Sequence, residues 1–92
     1  MYSRTVVLKN SSGLHARPAS EFVACAKQFA SSIFIRNLDK PDAAPANAKS
    51  IVRVLAEGIP VNTQIEISAD GEDEITAVDR LADLIDTGLG EE

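Results

Sequence analysis

The chain's only histidine, His15, and an arginine two residues on, Arg17, lie in Gly13-Leu14-His15-Ala16-Arg17-Pro18-Ala19-Ser20, directly before an apolar helical pattern. Pro18 suits a first helical position, where its missing N–H would have had no intrahelical partner and its fixed φ is already helical. His15 is therefore expected just outside a helix N-terminus, beside N–H groups without partners and at the positive end of the macrodipole. A neutral imidazole has a nucleophilic nitrogen and a solution pKa of about 6.5, and it can form a covalent intermediate. The guanidinium of Arg17 has a fork that matches phosphate oxygens. Together they could carry a phosphoryl group. Residue type and spacing alone leave a second reading open, that of an ordinary surface histidine in a turn.

The elements that must position this stretch follow from periodicity. Arg4 to Leu8 reads as a strand with Val6 and Leu8 on one face, and Asn10-Ser11-Ser12-Gly13 turns the chain. From Ala16 to about Ala30 the apolar residues Ala19, Phe22, Val23, Ala26, Phe29 and Ala30 follow the stripe of an amphipathic helix. Cys25 falls in it as a small packing residue and is assigned no role. Ser32 to Arg36 is a second strand, with Ile33 and Ile35 inward and Phe34 semi-exposed. Asp39, Pro41, Asp42 and Pro45 then signal a turn, allowing at most a short edge strand around Ala46 to Lys49. A short helix opens at Asn47 or Lys49-Ser50 and runs to about Ala56, stopped by Gly58 and Pro60. Thr63 to Ala69 is the last strand, with Ile65 and Ile67 inward. After Asp70-Gly71, the acidic Glu72, Asp73 and Glu74 complement the dipole of a last helix that runs up to Gly88, with Ile75, Val78, Leu81, Ala82 and Ile85 as its buried stripe. This order buries its apolar faces most simply as one sheet covered on one side by helices.

Composition bounds the function. Ninety-two residues, 45% hydrophobic and 25% charged, make one domain over residues 1–92. A chain of this size buries only somewhat over ~60% of its unfolded surface, so chemistry is expected at the surface rather than in an enclosed pocket. The net charge of −5 argues against nonspecific nucleic-acid binding. One His and one Cys give no metal-ligand cluster and no disulfide, and no glycine-rich nucleotide loop occurs. The short apolar run near the N-terminus is not a signal peptide, and no stretch approaches a membrane span. A cytoplasmic chain without cofactor or metal, not inserted in a membrane, is expected.

Gly-Leu-His-Ala-Arg-Pro-Ala-Ser resembles the active-site motif of the HPr family, the histidine-containing phosphocarriers of the bacterial phosphoenolpyruvate-dependent sugar phosphotransferase system. Asn47-Ala48-Lys49-Ser50-Ile51 resembles the family's regulatory-serine segment, and Ser68-Ala69-Asp70-Gly71-Glu72-Asp73-Glu74 the passage from its last strand into its last helix. The resemblance covers essentially the whole chain, apart from a few extra residues in the hairpin before Pro45. It implies an α+β fold, the HPr-like open-faced β-sandwich: a four-stranded antiparallel sheet of order 1-4-2-3 with three helices on one face.

It implies further that His15 is phosphorylated on Nδ1, that Arg17 is the charge partner of the phosphoryl group, and that Ala16 and Arg17 supply backbone N–H donors. The implied donor is enzyme I and the implied acceptors are enzyme IIA domains of sugar permeases; the chain is a carrier rather than an enzyme, and a monomer is expected. Ser50 has two readings. It is a helix-capping serine, or, by resemblance, the serine that an ATP-dependent HPr kinase/phosphorylase modifies, which would make the domain a regulatory module that docks a transcription regulator. A carrier of the nitrogen branch, or a domain of a dihydroxyacetone-type multiphosphoryl system, is the further alternative. Ile51, Val54 and Leu55 cannot all enter so small a core, and the resemblance places an apolar docking patch here, beside His15.

Overall fold

The computed structural model describes residues 1–9 and 16–88, with only the backbone at Ala16. His15 and the expected Asn10–Gly13 turn lie outside the described residues. In chain order the elements are β1 (Tyr2–Val7), α1 (Ala16–Ala26), β2 (Ser32–Asn37), β3 (Ala46–Asn47), α2 (Ile51–Glu57), β4 (Gln64–Asp70) and α3 (Glu74–Asp86). The strands form one antiparallel sheet of order β1-β4-β2-β3, as expected.

Alternation along the strands decides which face the helices cover. Val6, Ile33, Ile35, Ile65, Ile67 and Ala69 are buried, and they join Ala19, Phe22 and Val23 of α1, Val54 of α2 and Val78, Leu81 and Ile85 of α3 in one core. Ser3, Phe34, Arg36, Glu66 and Ser68, on the opposite face, stay exposed or half-exposed. Arg36 and Glu66 stand opposite each other there and pair at 3.3 Å. The sheet is therefore covered on one side only.

Where the elements depart from the expected bounds, tertiary bonds give the reason. β1 starts at Tyr2, two residues early, because its first residues pair with β4 and the Tyr2 hydroxyl donates to Asp79 on α3 at 3.0 Å. Leu8 lies past the strand yet is fully buried, tied to the 58–63 loop by Leu8 N–H to Thr63 O and Asn62 N–H to Leu8 O. Asn62 takes a left-handed φ of 67°, which its short polar side chain tolerates. α1 ends at Ala26 rather than Ala30. Gln28 and Phe29 donate three residues back to Cys25 and Ala26, and the next two N–H groups, of Ala30 and Ser31, donate to the Asp73 carboxylate. Ala30 is exposed rather than part of the stripe. On α3 the same correction applies to Ile75, which is 58% exposed, its expected place in the core being taken by Ala77.

The hairpin between β2 and β3 is ordered by its own polar groups. Asn37 Oδ1 accepts the Asp39 N–H at 2.9 Å, and the Asn37 N–H donates to Glu57 Oε2 at 3.3 Å, fastening the hairpin to the end of α2. Pro45 precedes a two-residue edge strand, where a missing N–H removes nothing from the ladder.

Asp73 joins three elements at one point. Besides the Ala30 and Ser31 N–H groups, its carboxylate accepts the Ser31 hydroxyl. Gly71 is required beside it, because a Cβ there would lie 2.7 Å from Ser31 Cα. The hydrogen bond from the Ser31 hydroxyl and those from the backbone hold the Asp73 pKa below the usual carboxylate value. A depressed folded-state pKa contributes stability that is present above the unfolded value of about 3.9 and is lost as pH falls through the folded value. Asp73→Asn is accordingly expected to be less stable than wild type in urea at neutral pH, with the two curves converging once the pH has fallen through the depressed folded-state value. A gap that stays constant down to that pH would show that the charge of Asp73 contributes nothing.

Candidate functional site: the start of α1 and the outer face of α2

α1 positions the histidine stretch from its C-terminal side. Arg17 is its second residue and is exposed. The helix starts at Ala16, as the apolar period predicts, so Pro18 is its third residue rather than its first and is buried; the first four N–H groups of a helix lack intrahelical partners anyway, so proline costs no bond there. The first turn contains no acidic side chain, so no carboxylate of that turn competes with an incoming anion for its N–H groups. Ala19, Phe22, Val23 and Ala26 lock the helix to the core, which makes that end of α1 a fixed platform. It can orient and screen a phosphoryl group while leaving it open to water and partners. His15 immediately precedes this platform in sequence and lies outside the described residues, as does the side chain of Ala16.

α2 is a two-turn helix with both ends capped. Ser50 is the N-cap, with extended backbone (φ −114°, ψ 114°), and its Oγ accepts the Arg53 N–H at 3.3 Å. Gly58 closes the helix at φ 60° with its N–H on Leu55 O. Ser50 therefore works structurally in the unmodified protein, whatever else it does. The 3.6-residue period then separates the apolar residues. Val54 points into the core and is 0% exposed, so it is not a docking residue as expected. Ile51 is half-buried against the same core, whereas Leu55 is 43% and Val52 71% exposed. Val52 is the exposed apolar residue of α2 outside the expected set of Ile51, Val54 and Leu55. With Val54 as the inward position, 100° per residue sets Val52 roughly 200° away, on the outer face. Ser50 and Arg53 line an open groove between α2 and Ala44, Pro45, Ala46 and Asn47 of the hairpin.

Cys25 is half-buried in α1, and burial pushes its thiol pKa up, away from the thiolate that nucleophilic chemistry needs. Among the described residues no three His, Cys, Asp or Glu side chains come together as a metal site, and no helix is long and apolar enough to cross a membrane.

A sheet of order 1-4-2-3 with three helices on one face defines an open-faced α+β sandwich, the class to which HPr structures belong. HPr-C-His from Thermoanaerobacter tengcongensis superposes with a TM-score of 0.90 at 40% identity, covering 100% of this chain and 99% of that one. The model of the PTS-HPr family, described as the PTS HPr component phosphorylation site, matches residues 2–87, and the chain belongs to that family. Phosphocarrier protein HPr of Haemophilus influenzae is 44% identical over 87 residues, which cover 95% of this chain and 98% of that protein. The Multiphosphoryl transfer protein of Vibrio cholerae is also 44% identical, over 90 residues and 98% of this chain, but the match spans only 22% of that protein's length.

Proposed function

We propose that the chain is a phosphoryl carrier of the sugar phosphotransferase system, taking a phosphoryl group from phospho-enzyme I onto His15 Nδ1 and passing it to enzyme IIA domains. The match of the phosphorylation-site family over residues 2–87 carries this reading. The exposed Arg17 on the first turn of α1, with its N–H groups uncontested by any acidic side chain of that turn, supports it. The transfer balances as an exchange of one N–P bond for another: His15 Nδ1 attacks phosphorus while the bond to the donor's histidine breaks. Arg17 and the backbone N–H groups of Ala16 and Arg17 neutralise the oxygens in both directions, without trapping the group. The chain works as a monomer in the cytoplasm, without metal or cofactor of its own, and Ile51, Val52 and Leu55 form the patch on which partners sit. Incubation with phosphoenolpyruvate, magnesium and enzyme I is expected to add one phosphoryl group that is lost in acid and survives mild base, as an imidazole N–P bond requires. An acid-stable label would place the group on a hydroxyl and end this reading.

A second reading, in which Ser50 is modified by an ATP-dependent HPr kinase/phosphorylase so that the domain docks a transcription regulator, is favoured by one observation. Ser50, half-buried as a residue, opens the helix that carries the exposed Val52 and Leu55 and lines an open groove. A phosphate there adds about −1.5 to −2 charge next to an apolar surface. Ser50→Asp is therefore expected to raise the enzyme I concentration needed for half-maximal transfer by about tenfold while the final extent of labelling stays the same. Identical kinetics across a range of enzyme I concentrations would remove this form of control. The multiphosphoryl relatives favour a domain of a fused phosphoryl-transfer chain as the alternative setting for the same His15 chemistry.

A further inference from the structure

Lys49, the residue before Ser50, is held at both ends. Its backbone N–H donates to Asn47 Oδ1 at 3.0 Å, and its Nζ reaches the backbone carbonyl of Phe29 at 2.6 Å. Phe29 closes the tightened turn after α1, and the following N–H groups, of Ala30 and Ser31, bind Asp73 at the start of α3. One line of tertiary hydrogen bonds thus runs from the approach to α2, through the end of α1, to the cap of α3. Its first link joins a cation on a four-carbon stem to a neutral acceptor. Such a bond holds only while nothing more negative lies within reach of the four-carbon stem.

Ser50 Oγ is the place where something more negative would appear. A phosphate carries about −1.5 to −2 charge and three strong acceptor oxygens, and it would sit on the residue adjacent to Lys49. Arg53 is the competing cation. Its backbone N–H is already the donor to Ser50 Oγ, but its side chain is exposed along the groove and must give up more water to pair. The Lys49 side chain is already half-buried and need only exchange one acceptor for another.

We infer that Lys49 is a relay: a phosphate on Ser50 draws the Lys49 ammonium off the Phe29 carbonyl, so that modification at the α2 cap loosens the turn that closes α1. The inference rests on the reading of Ser50 as a phosphorylation site. The covalent step is the kinase's own: Ser50 Oγ bonds to the γ-phosphorus of ATP as the β–γ P–O bond breaks, ADP leaves and the hydroxyl proton passes to a base of the kinase. The relay itself exchanges only hydrogen bonds, and Lys49 stays protonated throughout. Phosphoserine placed at position 50 during synthesis tests the relay without any kinase, so failure of the relay and failure of the kinase reading remain distinguishable. In nitrogen–proton spectra and hydrogen exchange of the full chain, phosphate is expected to shift the Lys49 Nζ resonance and the amides of Gln28, Phe29 and Ala30. Exchange at the Phe29 amide is expected to accelerate roughly tenfold. Lys49→Met should show shifted amides at 28–30 without phosphate and no further change with it, whereas Arg53→Gln should keep the full response. Unmoved amides at 28–30 in the phosphorylated chain overturn the relay, as does a response that survives Lys49→Met or disappears with Arg53→Gln. Should Lys49→Met fail to fold, the Lys49 Nζ and the Phe29 carbonyl carbon of the otherwise unaltered chain decide alone, and no movement there overturns it.

Discussion

His15→Ala is expected to accept no phosphoryl group from phosphoenolpyruvate and enzyme I, whereas Arg17→Ala accepts one slowly. The contrast follows from what each side chain supplies. His15 is the only imidazole in the chain, so its removal takes away the sole candidate for an acid-labile N–P bond. On the proposed reading Arg17 offers charge and two parallel N–H donors to the phosphate oxygens, an interaction of the charged hydrogen-bond class. Losing it costs about 1.5–3 kcal/mol, or about 10- to 150-fold in transfer rate, with the labelled end point unchanged. Arg17→Lys should recover only part of the rate, because an ammonium keeps the charge and loses the fork. Because Arg17 is exposed and outside the core, neither its alanine nor its lysine variant should change the unfolding midpoint. Quenched-flow labelling at fixed enzyme I concentration measures all three. Full labelling of His15→Ala would overturn the carrier reading, and an Arg17→Ala rate equal to wild type would restrict the reading to His15 and the backbone.

The strands and the sheet face were legible because alternation of Ile33 and Ile35, or of Ile65 and Ile67, is a period of two that no helix can imitate. The order of those strands was not a matter of period and came with the family resemblance. Helix ends were read less well, each for a physical reason. The stripe of α1 continues through Phe29, and nothing local forbids another turn; the helix stops at Ala26 because Asp73, more than forty residues away, takes the N–H groups of Ala30 and Ser31. Asp73 was read as an acid favouring the helix dipole, yet it makes no side-chain cap bond to α3 and spends its oxygens across the fold. The Lys49–Phe29 bond was equally invisible, since a lysine before a capping serine looks like any solvated charge. At the functional stretch the residue types around His15 fit a nucleophile beside a fork that matches phosphate and fit an ordinary surface histidine as well, and the resemblance to one family chose between the two.

On α2 the distinction between core and surface yields opposite outcomes for adjacent residues. Val54 is fully buried, so Val54→Ala removes two methylenes' worth of burial at about 0.8 kcal/mol each and leaves a small void, for a loss of about 2 kcal/mol. Val54→Asp buries an unpaired carboxylate, and it is expected to unfold a domain whose whole stability is on the order of 5–15 kcal/mol. One residue on, Leu55 is 43% exposed, and Val52 on the same outer side is 71% exposed. Leu55→Asp and Val52→Asp should therefore leave thermal unfolding within about 0.5 kcal/mol of wild type. Their effect belongs to association: a charge placed in an apolar contact must be desolvated when a partner covers it. The enzyme I concentration for half-maximal labelling of His15 is expected to rise about tenfold or more in each, with the rate at saturation unchanged. Calorimetry and labelling kinetics on the same four variants separate the two roles. A folded, fully active Val54→Asp would contradict the packing of α2, and unaltered labelling kinetics in both Leu55→Asp and Val52→Asp would move the docking surface away from this helix.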